Sequence, residues 1–158
     1  MDVASFGEIE GEFNQLVERI VWCTVATTDR KGRLRSRLLH PIWETTSEAP
    51  KGWIMTGRNS LKSKHIAVNP YITLSYWDPQ HEQAYIDCHA AWNDDVAEKK
   101  RIWDLLLSTP EPYGYDPVAF WEGPESPDCG LLELAPWRVE VSKLAEMMTG
   151  KPALVWRG

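Results

Sequence analysis

Apolar residues open the chain at helical spacing: Phe6, Ile9, Phe13, Leu16, Val17 and Ile20, with Glu8, Glu10, Glu12 and Glu18 between them. That period predicts an amphipathic helix ending near Arg19. From Val21 to Thr28 the sequence is rich in β-branched residues and predicts a strand. Asp29-Arg30-Lys31-Gly32 predicts a turn, with Gly32 free to take a positive φ. Leu34 to Trp43 predicts the returning strand, with a break or an edge at Pro41. Thr45 to Lys51 reads as a polar loop and Gly52 to Gly57 as a short strand.

Ser60 opens a short helix that Asn69-Pro70 closes, because proline cannot continue a helix and restricts the residue before it. Tyr71 to Trp77 and Gln83 to Trp92 predict two further strands around an Asp78-Pro79-Gln80 turn. Asp95 and Glu98 have capping-box spacing and start a second long helix, whose stripe is Val96, Ile102, Trp103, Leu105 and Leu106. Five prolines between Thr109 and Asp128 predict a loop, and Gly130 to Ser142 a final long strand interrupted by Pro136. Six strands and three helices without βαβ alternation predict a mainly β fold. The expected architecture is a mostly antiparallel β-barrel with flanking helices, one domain over residues 1–158, with 143–158 a tail or short extra strand.

Composition narrows the classes. Hydrophobic residues make up 43% and charged residues 25%, as in an ordinary globular domain. Nine tryptophans are unusual and supply flat surfaces for core packing, an interface or ring stacking. A net charge of −6 argues against nucleic acid as the main partner. No apolar run is long enough to span a membrane. No basic leader precedes an apolar run, so the expected location is the cytoplasm. Cys23, Cys88 and Cys129 are an odd set without paired spacing, which predicts neither a disulfide framework nor a zinc site.

The candidate chemistry is basic. Arg30, Lys31, Arg33, Arg35 and Arg37 crowd one stretch, and Arg58, Lys62 and Lys64 another. Taken singly, each reads as a solvated charge run. Two basic clusters in an acidic chain point to a discrete anion site. In Thr56-Gly-Arg-Asn-Ser-Leu-Lys-Ser-Lys-His65 a strand ends, hydroxyls of Thr56 and Ser60 are available, and Lys62 and Lys64 crowd a helix start, where cations are normally disfavoured. Strand period puts Arg33, Arg35 and Arg37 on one face, and guanidinium matches phosphate geometry. Gln83 follows a turn and is placed to hydrogen-bond a ring edge. His40, His65, His81 and His89 have no triad partners, and no Walker or G-x-G-x-x-G loop occurs.

In this order the pieces resemble the pyridoxamine-phosphate-oxidase-like family of FMN-binding split barrels, nearest its general-stress-protein branch and its F420-using relatives. The matching stretches are VATTDRKGRLRSRLL, WIMTGRNSLKSKHIAVNPYITLSYWDP, AAWNDDVAEKKRIWDLL and AFWEGPESPDCGLLEL, spanning Phe6 to Val141. The resemblance implies a homodimer with two cofactors at the subunit interface. It places Arg37 and Lys62 on the cofactor phosphate, helped by Ser60, Thr56 and the nearby Lys64. It lays Leu38, Leu39 and His40 along the flavin ring through backbone contacts, and sets Gln83 near the ring edge. Trp137 and Arg138 reach in from the other subunit.

Leu61 stands where the biosynthetic oxidase carries a basic residue, and its C-terminal Arg and His motif is not visible. Pyridoxamine phosphate is therefore not the expected substrate. Surplus basic residues (Arg33, Arg35, Arg58, Lys64) keep F420, with its longer anionic tail, beside FMN. The implied activity is two-electron transfer to a small unsaturated acceptor. The alternatives are a non-catalytic flavin- or haem-binding stress-response protein and an interaction domain built on exposed Trp residues.

Overall fold

The computed structural model describes all 158 residues. The predicted first helix comes in two pieces, a 3-10 turn at Phe6–Glu8 and helix α1 at Glu10–Ile20. The Glu8 carboxylate turns back to accept from the Ser5 amide at 3.1 Å, which closes the first piece on itself. Phe13, Leu16 and Val17 form the buried face of α1. Val21 takes a φ of 68° and swings the chain out of the helix into β1, Cys23–Thr28.

Strand β2, Leu34–Leu39, returns antiparallel to β1 around the expected turn, where Gly32 has a φ of 75°. Asp29 fixes that turn by accepting from the amides of Lys31 and Arg33 at 2.8 and 3.0 Å. The predicted single strand through Trp43 is two strands: β3, Ile42–Thr45, leaves β2 at Pro41 and pairs with β4, Pro50–Gly57. The polar loop shrinks accordingly to residues 46–49. Helix α2 spans Leu61–Ile66, followed by β5 at Tyr71–Trp77 and β6 at Glu82–Asn93. Helix α3, Val96–Ser108, leads through the proline-rich segment to β7, Cys129–Lys143. A one-turn helix α4, Leu144–Met147, and β8, Leu154–Arg157, complete the chain. The final residues thus add an eighth strand, paired to β7. No helix is long and apolar enough to cross a membrane.

The sheet order is β2-β1-β5-β6-β7-β4-β3, every pairing between these strands antiparallel. β7 is shared between two halves. Its residues 129–134 pair with β4, whereas 138–141 pair with β8. Between them lies Pro136, which has no N–H to give, and the register against β6 shifts at Asp87/Cys88. The strand bends there and the barrel wall divides.

The larger core of 22 buried residues fills the barrel under α1, where the Phe13 ring meets Phe6 and Trp43 edge-on at 5.4 and 5.3 Å. A second cluster joins Trp53, Met55 and Leu131 to Ile102, Trp103 and Leu106 of α3. β4 is therefore buried on both faces, Ile54 inward and its neighbours toward α3, which explains its unbroken apolar run. Only half of the predicted capping box on α3 forms. Asp95 accepts from the Ala97 amide at 3.0 Å, but Glu98 is drawn to Arg101 at 2.8 Å. Val96 stays exposed outside the stripe.

Candidate functional site

Arg37 and Leu39 share the inner side of β2, since Arg37 is registered opposite core residue Val25. The Arg37 guanidinium donates to the Val25 carbonyl at 3.0 Å, which lays it along the strand beside α2. Helix α2 is held there by its buried His65, whose Nδ1 is 2.9 Å from the buried Thr27 hydroxyl of β1. That anchoring sets Lys62 against Arg37. Burial lowers the Lys62 pKa, and the Arg37 charge lowers it further. Burial also lowers the Arg37 pKa, with Arg35 adding repulsion. Both side chains are half-buried, and neither has a carboxylate partner.

The other basic residues are placed differently. Arg33 precedes β2 and is pinned to Asp29 at 2.7 Å, so the predicted row of three free arginines reduces to Arg35 and Arg37. Asp29, held by Arg33, has its pKa lowered to about 2. Arg58 lies over the Trp92 ring at 4.7 Å and faces Asp94. Lys64 is on the other side of α2 from Lys62, in surface hollows with Arg58 and Ser60 and with Arg30 and Lys31. Ser60 occupies the N-cap position of α2, but its hydroxyl faces that of Ser63 at 3.3 Å and caps no amide.

An apolar groove of about 260 Å³ opens beside Leu39 and His40. One wall is β4 from Ile54 to Gly57, including the buried Thr56, and the other is Trp22 with Tyr115, Phe120 and Trp121 of the proline-rich segment. Gly130 of β7 lets β4 sit where it does, because a Cβ there would lie 2.6 Å from the Trp92 ring and 3.0 Å from the Thr56 carbonyl. The proline-rich segment is ordered by Tyr113. Its hydroxyl accepts from the Trp43 amide at 2.7 Å, and its carbonyl accepts from His40 Nε2 at 2.7 Å. The His40 ring is flanked by Trp22 at 5.2 Å and Tyr115 at 4.7 Å, and burial lowers its pKa. Burial also pushes the Tyr115 phenol up to about 12, so it stays protonated.

Of the predicted residues, three line one space, Leu39, His40 and Thr56; two more stand together beside it, Arg37 on the same side of β2 as Leu39 and Lys62 next to Arg37. Leu38 is on the opposite side of β2, 65% exposed. Gln83 is on the outer side of β6, accepting from the Tyr85 hydroxyl at 2.6 Å. Trp137 is the extra residue of the β7 bulge, and Arg138 is held by Asp87 and Glu140. Only residues 129–134 of β7 pair with β4, whereas Arg138 pairs with β8, and neither Trp137 nor Arg138 lines the groove within one chain. The sequence reading missed the aromatic wall. Its signal was present in Tyr113, Tyr115, Phe120 and Trp121, four rings within a segment whose prolines marked it only as a loop.

No protein-family model matches the sequence, and no curated protein matches it. Solved structures do. A protein from Clostridium acetobutylicum related to general stress protein 26 of Bacillus subtilis, of the pyridoxinephosphate oxidase family, superposes with a TM-score of 0.72 at 15% identity, covering 96% of this chain and 95% of that one. A pyridoxamine 5'-phosphate oxidase-related, FMN-binding protein from Nostoc punctiforme gives 0.64 at 18% identity, over 92% and 86% of the two chains. The chain has the FMN-binding split-barrel fold. A NimC/NimA family protein from Clostridium acetobutylicum shares this split barrel, with a TM-score of 0.68 at 14% identity over 88% and 87%.

Proposed function

We propose that this split barrel binds a flavin-type cofactor, FMN or the deazaflavin F420, and works as an oxidoreductase. The observation that carries the reading is the Arg37–Lys62 pair. Two half-buried cations with no carboxylate against either are unfavourable alone and favourable around a phosphate. The adjoining groove suits a flat ring, being apolar and walled by aromatic side chains. The resemblance of the sequence to FMN-binding split barrels and the FMN-binding fold neighbour support the same assignment. When bound, the cofactor supplies two-electron chemistry to a small unsaturated acceptor. This chain's residues grip the phosphate, hold the ring and keep water from it.

A homodimer belongs to the proposal. Leu38, Tyr71 and Trp77 are exposed on the outer side of the β2-β1-β5 sheet, and Trp137 is exposed on β7. A second copy covering this side brings a partner's groove within reach of Gln83, Trp137 and Arg138, which one chain leaves apart.

The test is titration of the purified protein with FMN and with F420, followed by visible absorption and calorimetry. Saturable binding of either, weakened in Arg37→Ala and Lys62→Ala, is expected. Binding of neither overturns the proposal.

A further inference from the structure

The groove beside the cation pair is almost wholly apolar, and its few polar atoms are therefore what sort one flat ligand from another. A carbonyl only accepts hydrogen bonds, so the 2.7 Å contact between His40 Nε2 and the Tyr113 carbonyl requires the proton to be on Nε2. In the neutral ring that leaves Nδ1 bare. Nδ1 has no partner in the chain, yet it is not among the atoms sealed from the outside without one. His40 itself is 9% exposed and lines the groove, with its ring edge framed by Trp22 and Tyr115. The Thr56 and Tyr115 hydroxyls of the lining both donate and accept, and so discriminate poorly, and the indole N–H groups of Trp22 and Trp121 only donate, which leaves His40 Nδ1 as the lining's one side-chain nitrogen or oxygen that only accepts.

We propose that His40 is the specificity-determining side chain of the groove, its Nδ1 accepting a hydrogen bond from a flat, uncharged acceptor molecule that carries an N–H or O–H donor. The proposal rests on the reading given above, with the cofactor ring lying along the Leu39 backbone and the end of the groove framed by His40, Trp22 and Tyr115 left to the acceptor. Ligands without a donor leave Nδ1 unpaired among aromatic rings. Carboxylates present oxygens to a nitrogen that cannot donate, in a groove with no cation of its own. The Tyr113 carbonyl is the positioning group, because it fixes the tautomer.

The probes are phenol, anisole and benzoate, titrated into FMN-loaded and FMN-free protein and followed by ligand-observed saturation-transfer NMR. Phenol is expected to bind about tenfold more tightly than anisole, the difference made by one buried hydrogen bond, with benzoate weakest. His40→Phe is expected to erase the phenol preference while anisole binding persists. Equal binding of phenol and anisole by the unsubstituted protein, binding of neither, or a preference that survives His40→Phe overturns the proposal. The unsubstituted comparison stands even where the His40 variant does not fold. FMN titration of the same samples reads the cofactor assignment separately: phenol preference without any FMN binding overturns that assignment and leaves the role of His40.

Discussion

Lys62 of α2 stands against Arg37 of β2, two positive side chains half-buried together with no carboxylate between them. Their mutual repulsion is what the fold tolerates at this place. It makes the two residues separable from the scaffold in a way core residues are not.

Replacing either cation should therefore act in opposite directions on stability and on binding. Lys62→Met in protein without ligand is expected to raise stability by about 0.5 kcal/mol, through relief of the like-charge contact. The same change should weaken FMN binding about tenfold or more, because a charge-assisted phosphate contact is lost. Denaturant melts and calorimetry of one sample measure both. A variant that is both less stable and unchanged in affinity contradicts the assignment.

His40 gives a pH prediction. Its folded pKa lies below the ordinary 6.5 because burial disfavours the imidazolium. Between the folded value and 6.5 the unfolded chain binds more protons than the folded one. The contribution of His40 is thus fully present above pH 6.5 and is lost as pH falls toward the folded value. Thermal melts of the protein and of His40→Asn from pH 7.5 downward should diverge above pH 6.5 and converge below it.

Tyr113→Phe removes the acceptor of the Trp43 amide and loosens the segment that forms the aromatic wall. A loss of about 1 kcal/mol is expected, with new protease cleavage confined to residues 109–128. Mass spectrometry of limited digests locates the cuts.

Gly130→Val should cost about 1–3 kcal/mol, because its side chain meets the Trp92 ring at a distance Cβ atoms do not occupy and crowds the Thr56 carbonyl. Displacement of β4 then carries Thr56 with it. Chemical denaturation gives the cost, and FMN titration should show a weakened site.

The exposed side of the sheet yields a prediction on assembly. Trp77→Asp and Leu38→Asp, both at outward positions with 53% and 65% exposure, are expected to shift the protein toward monomer in sedimentation velocity without lowering its helix or strand content.

Much of this was legible in the sequence, for identifiable reasons. The strands β1, β5 and β6 and the helices α1 and α3 announce themselves because each has one buried side and a clear period. Pro41 signalled its break, but not that β3 would change partner, since that depends on β4, which is distant in the sheet from β2. The pairing of Arg33 with Asp29 and the isolation of Lys64 on the far side of α2 were invisible, because spacing places residues on a face without showing what stands opposite. The aromatic wall was hidden for the same cause. Trp22, Leu39, Met55 and Trp121 come from four separate stretches of chain that only the tertiary fold assembles.

The groove's two walls differ in what they cost to change. Ile54 belongs to the barrel core and Met55 to the cluster under α3, whereas Phe120 is 66% exposed and belongs to neither. Ligand preference can thus drift by substitution at Phe120 while the barrel goes on folding unaltered. Chains with this scaffold are free to diverge in what they accept long before they diverge in shape.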